Sequence, residues 1–389
     1  MQKKNITVIT GSRPDYSAIK HILKLINLEK KLKLNLVVTG SHLFKENKNL
    51  INFIKKDKIK IHEKIKILTK NYSEESISKS IGLGVKKFSH YYSNNRPDLI
   101  LVMGDRFEIY ASVIAALPFN IPVAHIHGGE ITEGAFDDAI RHSITKLSHL
   151  HFVSNKLHAQ RVKQLGEETW RINITGSPII DTFKRNKMKS INYLKKKYNF
   201  KINKKLILVT FHPVTLESNK TKYYILEVLK ALKKFDYSII FTSPNQDTNS
   251  NIIKSEILKF TNKNGNAYFV NNFGSEDYLS ILRYVSIMVG NSSSGLIEAP
   301  SFKLPVVNIG NRQGGRLREK NVINVKYTSK DIIKGILKGV NNSFRTTLKN
   351  IKNPYGDGNA SMRIVKLIKN INTSNQKIIN KKFIDYDIK

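Results

Sequence analysis

The chain has 389 residues, 40% of them hydrophobic, enough to bury more than one core, so two domains are expected. It has no cysteine, which excludes a disulfide framework, a thiolate nucleophile and cysteine-bound zinc. The formal net charge of +36 comes mostly from lysine spread along the chain among abundant Asn and Ile, not from the clustered arginines and aromatics of a nucleic-acid binder. No nucleic-acid partner is expected, although such a field still draws in anionic ligands such as nucleotides.

The N-terminus, MQKKNITVITGSRPDY, is basic and then apolar, as in a signal peptide, but its apolar run ITVIT is short and no small-residue cleavage site follows. No apolar stretch approaches the roughly 20 residues that span a bilayer, so a soluble, cytoplasmic protein with no membrane partner is expected. In chain order, an apolar run over 6–10 ends at Gly11 and leads into an amphipathic segment over 17–28. A second run, 34–38, ends at Thr39-Gly40. The run 99–103 ends at Gly104-Asp105 and precedes a helical stretch over 108–117. The run 122–126 is followed by a helix over about 137–148, and that helix by the run 150–153. Continuous apolar runs, each closed by Gly or a polar residue and followed by a helix, predict buried parallel strands in βαβ units.

The composition breaks at 183–205, where FKRNKMKSINYLKKKYNFKINKK is lysine-rich and poor in core candidates; this predicts a surface helix and linker. Beyond it the pattern restarts with runs at 206–210, 238–242, 267–270, 286–289 and 305–309. The expected class is therefore α/β, with two Rossmann-like domains facing each other across a cleft. The expected boundaries are an N-terminal domain over 1–182, a linker over 183–204, a second Rossmann-like domain over 205–360, and a C-terminal helix and tail over 361–389. Ligands of open α/β sheets sit beyond the carboxyl ends of the strands. Those ends here are Gly-flanked and polar: Gly11-Ser12-Arg13, Gly104-Asp105-Arg106, His127-Gly128-Gly129-Glu130, Gly176-Ser177-Pro178, His212-Pro213, Pro244-Asn245, Gly290 to Gly295, and Asn311 to Arg316.

The chemistry of these turns falls into two groups. Gly290 to Gly295, followed by LIEA, reads either as a Ser-rich turn cradling phosphate at a helix N-terminus or as an ordinary helix cap. Arg13, Arg106 and Arg312 are arginines in a chain that prefers lysine, a choice that suits forked bonding to phosphate. The second group is acid–base: Asp105, His127, Glu130, Asp137, Asp138 and His212. Metal binding by His125-x-His127 is disfavoured because residue 125 lies inside an apolar run and the later strands offer no further ligands. His149 and His151, which flank the next strand, read as structural. Arg141 and His142 stand where they can orient or pair with Asp137 and Asp138.

The motifs TGSRPDYSAIK, VTGSHL, MGDRFEI, HIHGGE, DDAIRHSITKLSHLHF, QLGE, TGSP, FHPVT, GSEDYLSIL, GNSSSGLIEAPS, NIGNRQGGR and NPYGDGNAS run almost end to end. In content and order the chain resembles the hydrolysing UDP-N-acetylglucosamine 2-epimerases. The resemblance implies a two-domain fold of the nucleotide-sugar glycosyltransferase (GT-B) type, with a helix around 361–371 crossing back to the first domain. It implies that the second of the two domains binds the nucleotide, that Ser292 and Ser293 hold the diphosphate and that Glu298 accepts the ribose hydroxyls. Arg312 and Asn245 would contact the nucleotide or sugar, while Arg13, Ser17 and Arg106 would reach in from the first domain. It also implies a homodimer, a nucleotide-sugar substrate with UDP-GlcNAc first, and neither cofactor nor metal.

The implied reaction eliminates UDP to give 2-acetamidoglucal, then adds water to release N-acetylmannosamine. Asp105, Glu130, Asp137 and Asp138 are the acid and base candidates; His212, Arg13 and the Ser292-Ser293 turn would stabilise the leaving group. One departure stands out. By that resemblance many relatives carry H-I-E-G-G-E where this chain has H-I-H-G-G-E, so either Glu130 substitutes for the missing carboxylate or His127 shares the proton work. The alternatives are the same chemistry on a UDP- or GDP-linked 2,4-diacetamido-trideoxy sugar, and a non-hydrolysing epimerase or glycosyltransferase of the same fold. A catalytically silent nucleotide-sugar binder is disfavoured by the full set of carboxylates.

Overall fold

The computed structural model describes residues 3–43, 48–68, 73–132, 136–185, 188–244, 249–373 and 375–386. The chain folds into two compact units. The first comprises Met1–Glu130, Phe136–Lys184 and Tyr355–Lys389; the second comprises Ile131–Ala135 and Arg185–Pro354.

The first unit alternates strand and helix: β1 (Lys4–Thr10), α1 (Arg13–Leu28), β2 (Leu32–Val38), α2 (Lys48–Lys56), β3 (Ile61–Lys64), α3 (Glu74–Asn94), β4 (Leu99–Met103), α4 (Phe107–Ala116), β5 (Val123–Ile126), α5 (Asp137–Leu147), β6 (Leu150–Val153), α6 (Lys156–Gln164), β7 (Ile172–Ile174) and α7 (Asp181–Arg185). Its seven strands are ordered β3-β2-β1-β4-β5-β6-β7, and every pairing is parallel. The order reverses between β1 and β4, the switch point at which such sheets bind ligands. β4, β5 and β6 are buried along their whole length, as unbroken apolar runs require when helices cover both faces.

α8 (Ile191–Tyr198) lies in the lysine-rich stretch expected to be a linker, yet it belongs to the second unit. Leu194 is fully buried, and Tyr198 Oη and Lys197 Nζ reach Asp277 at 2.7 and 2.5 Å. One apolar face is enough to dock a helix whose lysines stay in solvent. The rest of that unit runs β8 (Leu206–Thr210), α9 (Thr221–Leu232), β9 (Ser238–Thr242), α10 (Ser250–Lys263), β10 (Ala267–Val270), α11 (Gly274–Leu282), β11 (Ile287–Gly290), α12 (Ser294–Ile297), β12 (Val306–Ile309), β13 (Val322–Val325), α13 (Ser329–Val340) and α14 (Asn342–Thr347). Its six parallel strands are ordered β10-β9-β8-β11-β12-β13, with the switch point between β8 and β11. There Gly290 has φ +142, and a Cβ on it would lie 1.9 Å from the Thr210 carbonyl oxygen. Only glycine closes that strand end.

The last helices, α15 (Ala360–Asn370) and α16 (Gln376–Ile379), return to the first unit. Ile364, Val365 and Ile368 of α15 enter the same core as Ile19, Ile22 and Ile26 of α1. Truncating Ile368 to Ala should cost about 2–5 kcal/mol. Asp181 caps α15, its carboxylate oxygens accepting the Ala360 and Ser361 N–H groups at 3.0 and 2.6 Å. Lys4 Nζ donates to the Ile368 and Lys369 carbonyls at the other end, where the helix dipole favours a cation. Among the described residues no helix is long and apolar enough to cross a membrane.

Candidate functional site

At the first switch point α1 begins at Arg13, earlier than the amphipathic pattern suggests. Ser12 caps it, Oγ accepting the Asp15 N–H at 3.4 Å, and Pro14 with Asp15 supplies a favourable first turn. Arg13 is half-buried at the helix start, and Ser17 is buried on its packed face. Asp15, given no role from the sequence, is half-buried with Oδ2 enclosed and without a hydrogen-bond partner. Burial, opposed by the charge of Arg106, raises its pKa to about 6. An acidic residue after Ser-Arg-Pro reads simply as a helix start, so its chemistry leaves no sequence signal.

Asp105 follows β4 and forms a close ion pair with Arg141 of α5. Arg141 was expected to serve Asp137 and Asp138. Their charges do act on it, but Asp105 and Glu130 act more strongly, because Arg141 lies on the buried face of α5 with Ile140, Ile144 and Thr145. Its Nη1 donates to the His127 carbonyl at 3.1 Å and lies 3.7 Å from Glu130 Oε2. Asp138 faces His142, Oδ2 to Nε2 3.5 Å. Asp137 is half-buried; burial first, then the charge of Asp105, lifts its pKa to about 6 against the pull of Arg106 and Arg141. A carboxyl tuned there can give or take a proton near neutral pH.

Arg106, expected to meet a ligand, forks onto Glu108 with Nε and Nη2 at 3.1 and 2.9 Å from its carboxylate oxygens. Glu108 is fully buried, so this arginine balances a buried charge. His127 and Glu130 are brought together, Nδ1 to Oε1 3.4 Å. The turn between them needs Gly129, whose φ is +74 and whose Cβ would meet the His158 carbonyl oxygen at 2.4 Å. His125 lies within β5 inside the core: Nε2 bonds the Gly104 carbonyl at 2.8 Å, and burial drives its pKa down to about 3. His149 Nδ1 accepts the Val123 N–H at 3.1 Å, and His151 pairs with buried Glu167 at 3.0 Å, both structural arrangements.

In the second unit Asn291 organises the turn after β11. Its side chain accepts the His212 N–H at 2.7 Å and donates to the His212 carbonyl at 2.9 Å. Its carbonyl accepts from Arg312 Nη1 at 3.2 Å and Gln313 Nε2 at 2.9 Å. Neither Asn291 nor Gln313 was singled out from the sequence, although both lie in strand-end turns. Ser292 and Ser293 are half-buried, and Ser292 Oγ accepts the Ser294 N–H at 3.3 Å. The helix that follows, α12, is a single turn, so turn N–H groups and hydroxyls, more than a helix dipole, suit this segment to an anion.

Glu298 Oε2 is buried without a hydrogen-bond partner, and burial raises the carboxyl's pKa against a hydrogen bond from Ser294. Burial, then the Arg312 charge, lowers the His212 pKa to about 3, so the ring is neutral at physiological pH. Asn245 lies outside the described residues.

The fold is of the GT-B class. A solved UDP-GlcNAc 2-epimerase from Neisseria meningitidis, bound to UDP-GlcNAc, matches with a TM-score of 0.82 at 22% identity, over 94% of this chain and 100% of that one. The family model described as UDP-N-acetylglucosamine 2-epimerase matches residues 24–369. The chain is 38% identical, over 99% of its length and 100% of the relative's, to a GDP/UDP-N,N'-diacetylbacillosamine 2-epimerase (hydrolyzing) of Campylobacter jejuni. It is 35% identical, over 97% and 98%, to a UDP-N,N'-diacetylbacillosamine 2-epimerase (hydrolyzing) of Legionella pneumophila. The chain belongs to the UDP-N-acetylglucosamine 2-epimerase family and is a nucleotide-sugar 2-epimerase.

Proposed function

We propose that the chain is a hydrolysing 2-epimerase of a UDP- or GDP-linked 2,4-diacetamido-trideoxy sugar. The observation that carries the chemistry is half-buried Asp137, whose pKa burial first, then the charge of Asp105, raises to about 6. A carboxyl held near neutrality in this way can give or take a proton in the reaction. The substrate class is supported by the names of the 38% and 35% identical relatives, each matched along nearly its whole length.

In the proposed reaction a carboxylate takes the C2 proton while the C1–O bond breaks and its electron pair leaves with the nucleoside diphosphate. Water then adds its oxygen to C1 of the 2-acetamidoglycal, and a second acid protonates C2 from the opposite face. In the second unit Ser292, Ser293 and Arg312 bind the diphosphate, neutral His212 supplies a hydrogen bond, and Glu298 accepts the ribose hydroxyls. Arg13 is the cation proposed for the leaving group in the first unit. UDP-GlcNAc is the second substrate reading, supported by the description of the family model.

The test is incubation in deuterated water with the UDP- and GDP-linked diacetamido sugars and with UDP-GlcNAc, each followed by NMR. The expected result is release of nucleotide with the C2-deuterated epimer of the diacetamido sugar. Faster release of N-acetylmannosamine from UDP-GlcNAc would move the protein to the second reading. No nucleotide release from any of them would sink both.

A further inference from the structure

His127 sits just past β5 with φ +69, a left-handed backbone that costs a non-glycine residue about 1 kcal/mol or more. It is held on every side. Its N–H donates to the Phe152 carbonyl at 3.2 Å, and its carbonyl accepts from Arg141 Nη1 at 3.1 Å. Its Nδ1 lies 3.4 Å from Glu130 Oε1, and its Nε2 lies 3.0 Å from Ser177 Oγ. Both partners are enclosed. Glu130 is 3% exposed and also takes Ser154 Oγ at 3.1 Å, with His158 Nδ1 at 3.9 Å. Ser177 is fully buried, and its N–H donates to the Tyr355 carbonyl at 2.6 Å.

A Ser–His–Glu chain resembles a nucleophilic triad, but a fully buried serine cannot meet a substrate carbonyl. Its geometry does something else. Glu130 as a carboxylate can only accept, so it favours the tautomer with hydrogen on Nδ1; Nε2 then accepts the Ser177 hydroxyl. Neither ring nitrogen is left to exchange a proton with a sugar. The backbone carbonyl of the same residue meanwhile braces Arg141, the guanidinium that pairs with Asp105.

We propose that His127 is a positioning residue: Ser177 and Glu130 lock its ring so that its backbone holds Arg141 against Asp105. The acid–base work then stays with Asp105 and Asp137, and Glu130 is itself a positioning residue. The charged and titratable groups that face the ring are Glu130 on its own loop, Arg141 on α5, His158 on α6 and His125 on β5. This inference deepens the hydrolysing-epimerase reading and rests on it.

The test uses the full chain and the substrate that wild type turns over, with three variants. His127→Gln and Ser177→Ala should each lower kcat by about tenfold, the scale of one lost hydrogen bond, with KM and both limbs of the kcat–pH profile retained and the thermal midpoint lowered by only a few degrees. Ser177→Thr, which keeps the hydroxyl, should restore kcat. A fall of about 10²- to 10⁴-fold in His127→Gln with loss of one limb would mean that His127 carries the proton, and would overturn the proposal. Wild-type kcat in Ser177→Ala would overturn it too. If wild type turns over no nucleotide sugar, the family chemistry is what has failed, and the lock is still read from histidine 15N NMR. The His127 signal, assigned by its loss in His127→Gln, should show a single Nδ1–H tautomer whose Nε2 resonance moves in Ser177→Ala. An unmoved resonance would sink the lock by itself.

Discussion

The strand ends of the two units solve different problems. In the first unit, polar groups are tied to one another through charge: Arg141 serves Asp105 and Glu130, and Arg106 serves buried Glu108. In the second, they are tied through a neutral residue: Asn291 clasps the His212 backbone, and its carbonyl gathers Arg312 and Gln313 without a carboxylate. Proton transfer needs groups close enough to shift each other's affinity for protons, and charge networks provide that. Holding an anion needs fixed donors whose charge is not spent on internal carboxylates, and neutral clasps provide that. Under the proposed function, the same doubly wound topology would serve two kinds of site, distinguished by which residues fill the turns.

Substitutions can break this contrast. The largest effect is expected from Asp105→Asn: turnover should fall by about 10³-fold, while UDP or GDP affinity measured by calorimetry stays within about twofold. A comparable loss of nucleotide affinity would show that the division between the units is wrong. Next, Ser292→Ala with Ser293→Ala should weaken nucleotide binding by about tenfold or more and leave the shape of the kcat–pH profile unchanged. A displaced limb would give that turn a part in proton transfer.

Asp137→Asn should act through pH. The pKa of Asp137 is raised to about 6 in the folded protein, so the stability it contributes is present below the ordinary carboxylate range and is lost as pH rises through about 6. The thermal midpoint of the variant, relative to wild type, should therefore be higher at pH 7 than at pH 4 by a few degrees. An equal difference at both values would contradict the raised pKa. The smallest effect concerns His212, which is neutral because burial holds its pKa near 3. Nucleotide affinity in wild type and in His212→Gln should change in parallel between pH 8 and pH 5. A gain in affinity found only in wild type as pH falls would mean that the ring binds as a cation.

Much of the fold was legible because buried strands announce themselves. The runs at β4, β8 and β11 are apolar, end in Gly or a polar residue, and were placed to within a residue or two. Of the four edge strands only β10 was placed, by its run at 267–270. β3 is IHEK, β7 is INI and β13 is VINV, each half-exposed or more at most positions. Each of these three buries little, carries no apolar run, and exists because a neighbour offers it a ladder. The site shows the same divide. Asp105, Asp137, Ser292 and Ser293 were visible as polar residues after strands, but Glu108 and Arg141, both inside helical patterns, gave no hint of the ion pairs they make.

By itself the sequence determined the alternation of strand and helix, the two-unit architecture and the turns that bear polar groups. These depend on residue periodicity over a few positions, and periodicity is local. Only the tertiary structure decided which charges pair. Asp105 and Arg141 are 36 residues apart, and His127 and Ser177 are 50 apart. They meet because the sheet order places the ends of β4, β5 and β7 in one row, and no spacing along the chain encodes that order. His127 stands where the family resemblance implies a carboxylate. Whether it moves a proton or holds an arginine turns on two buried neighbours, and the chain supplies them only once it has folded.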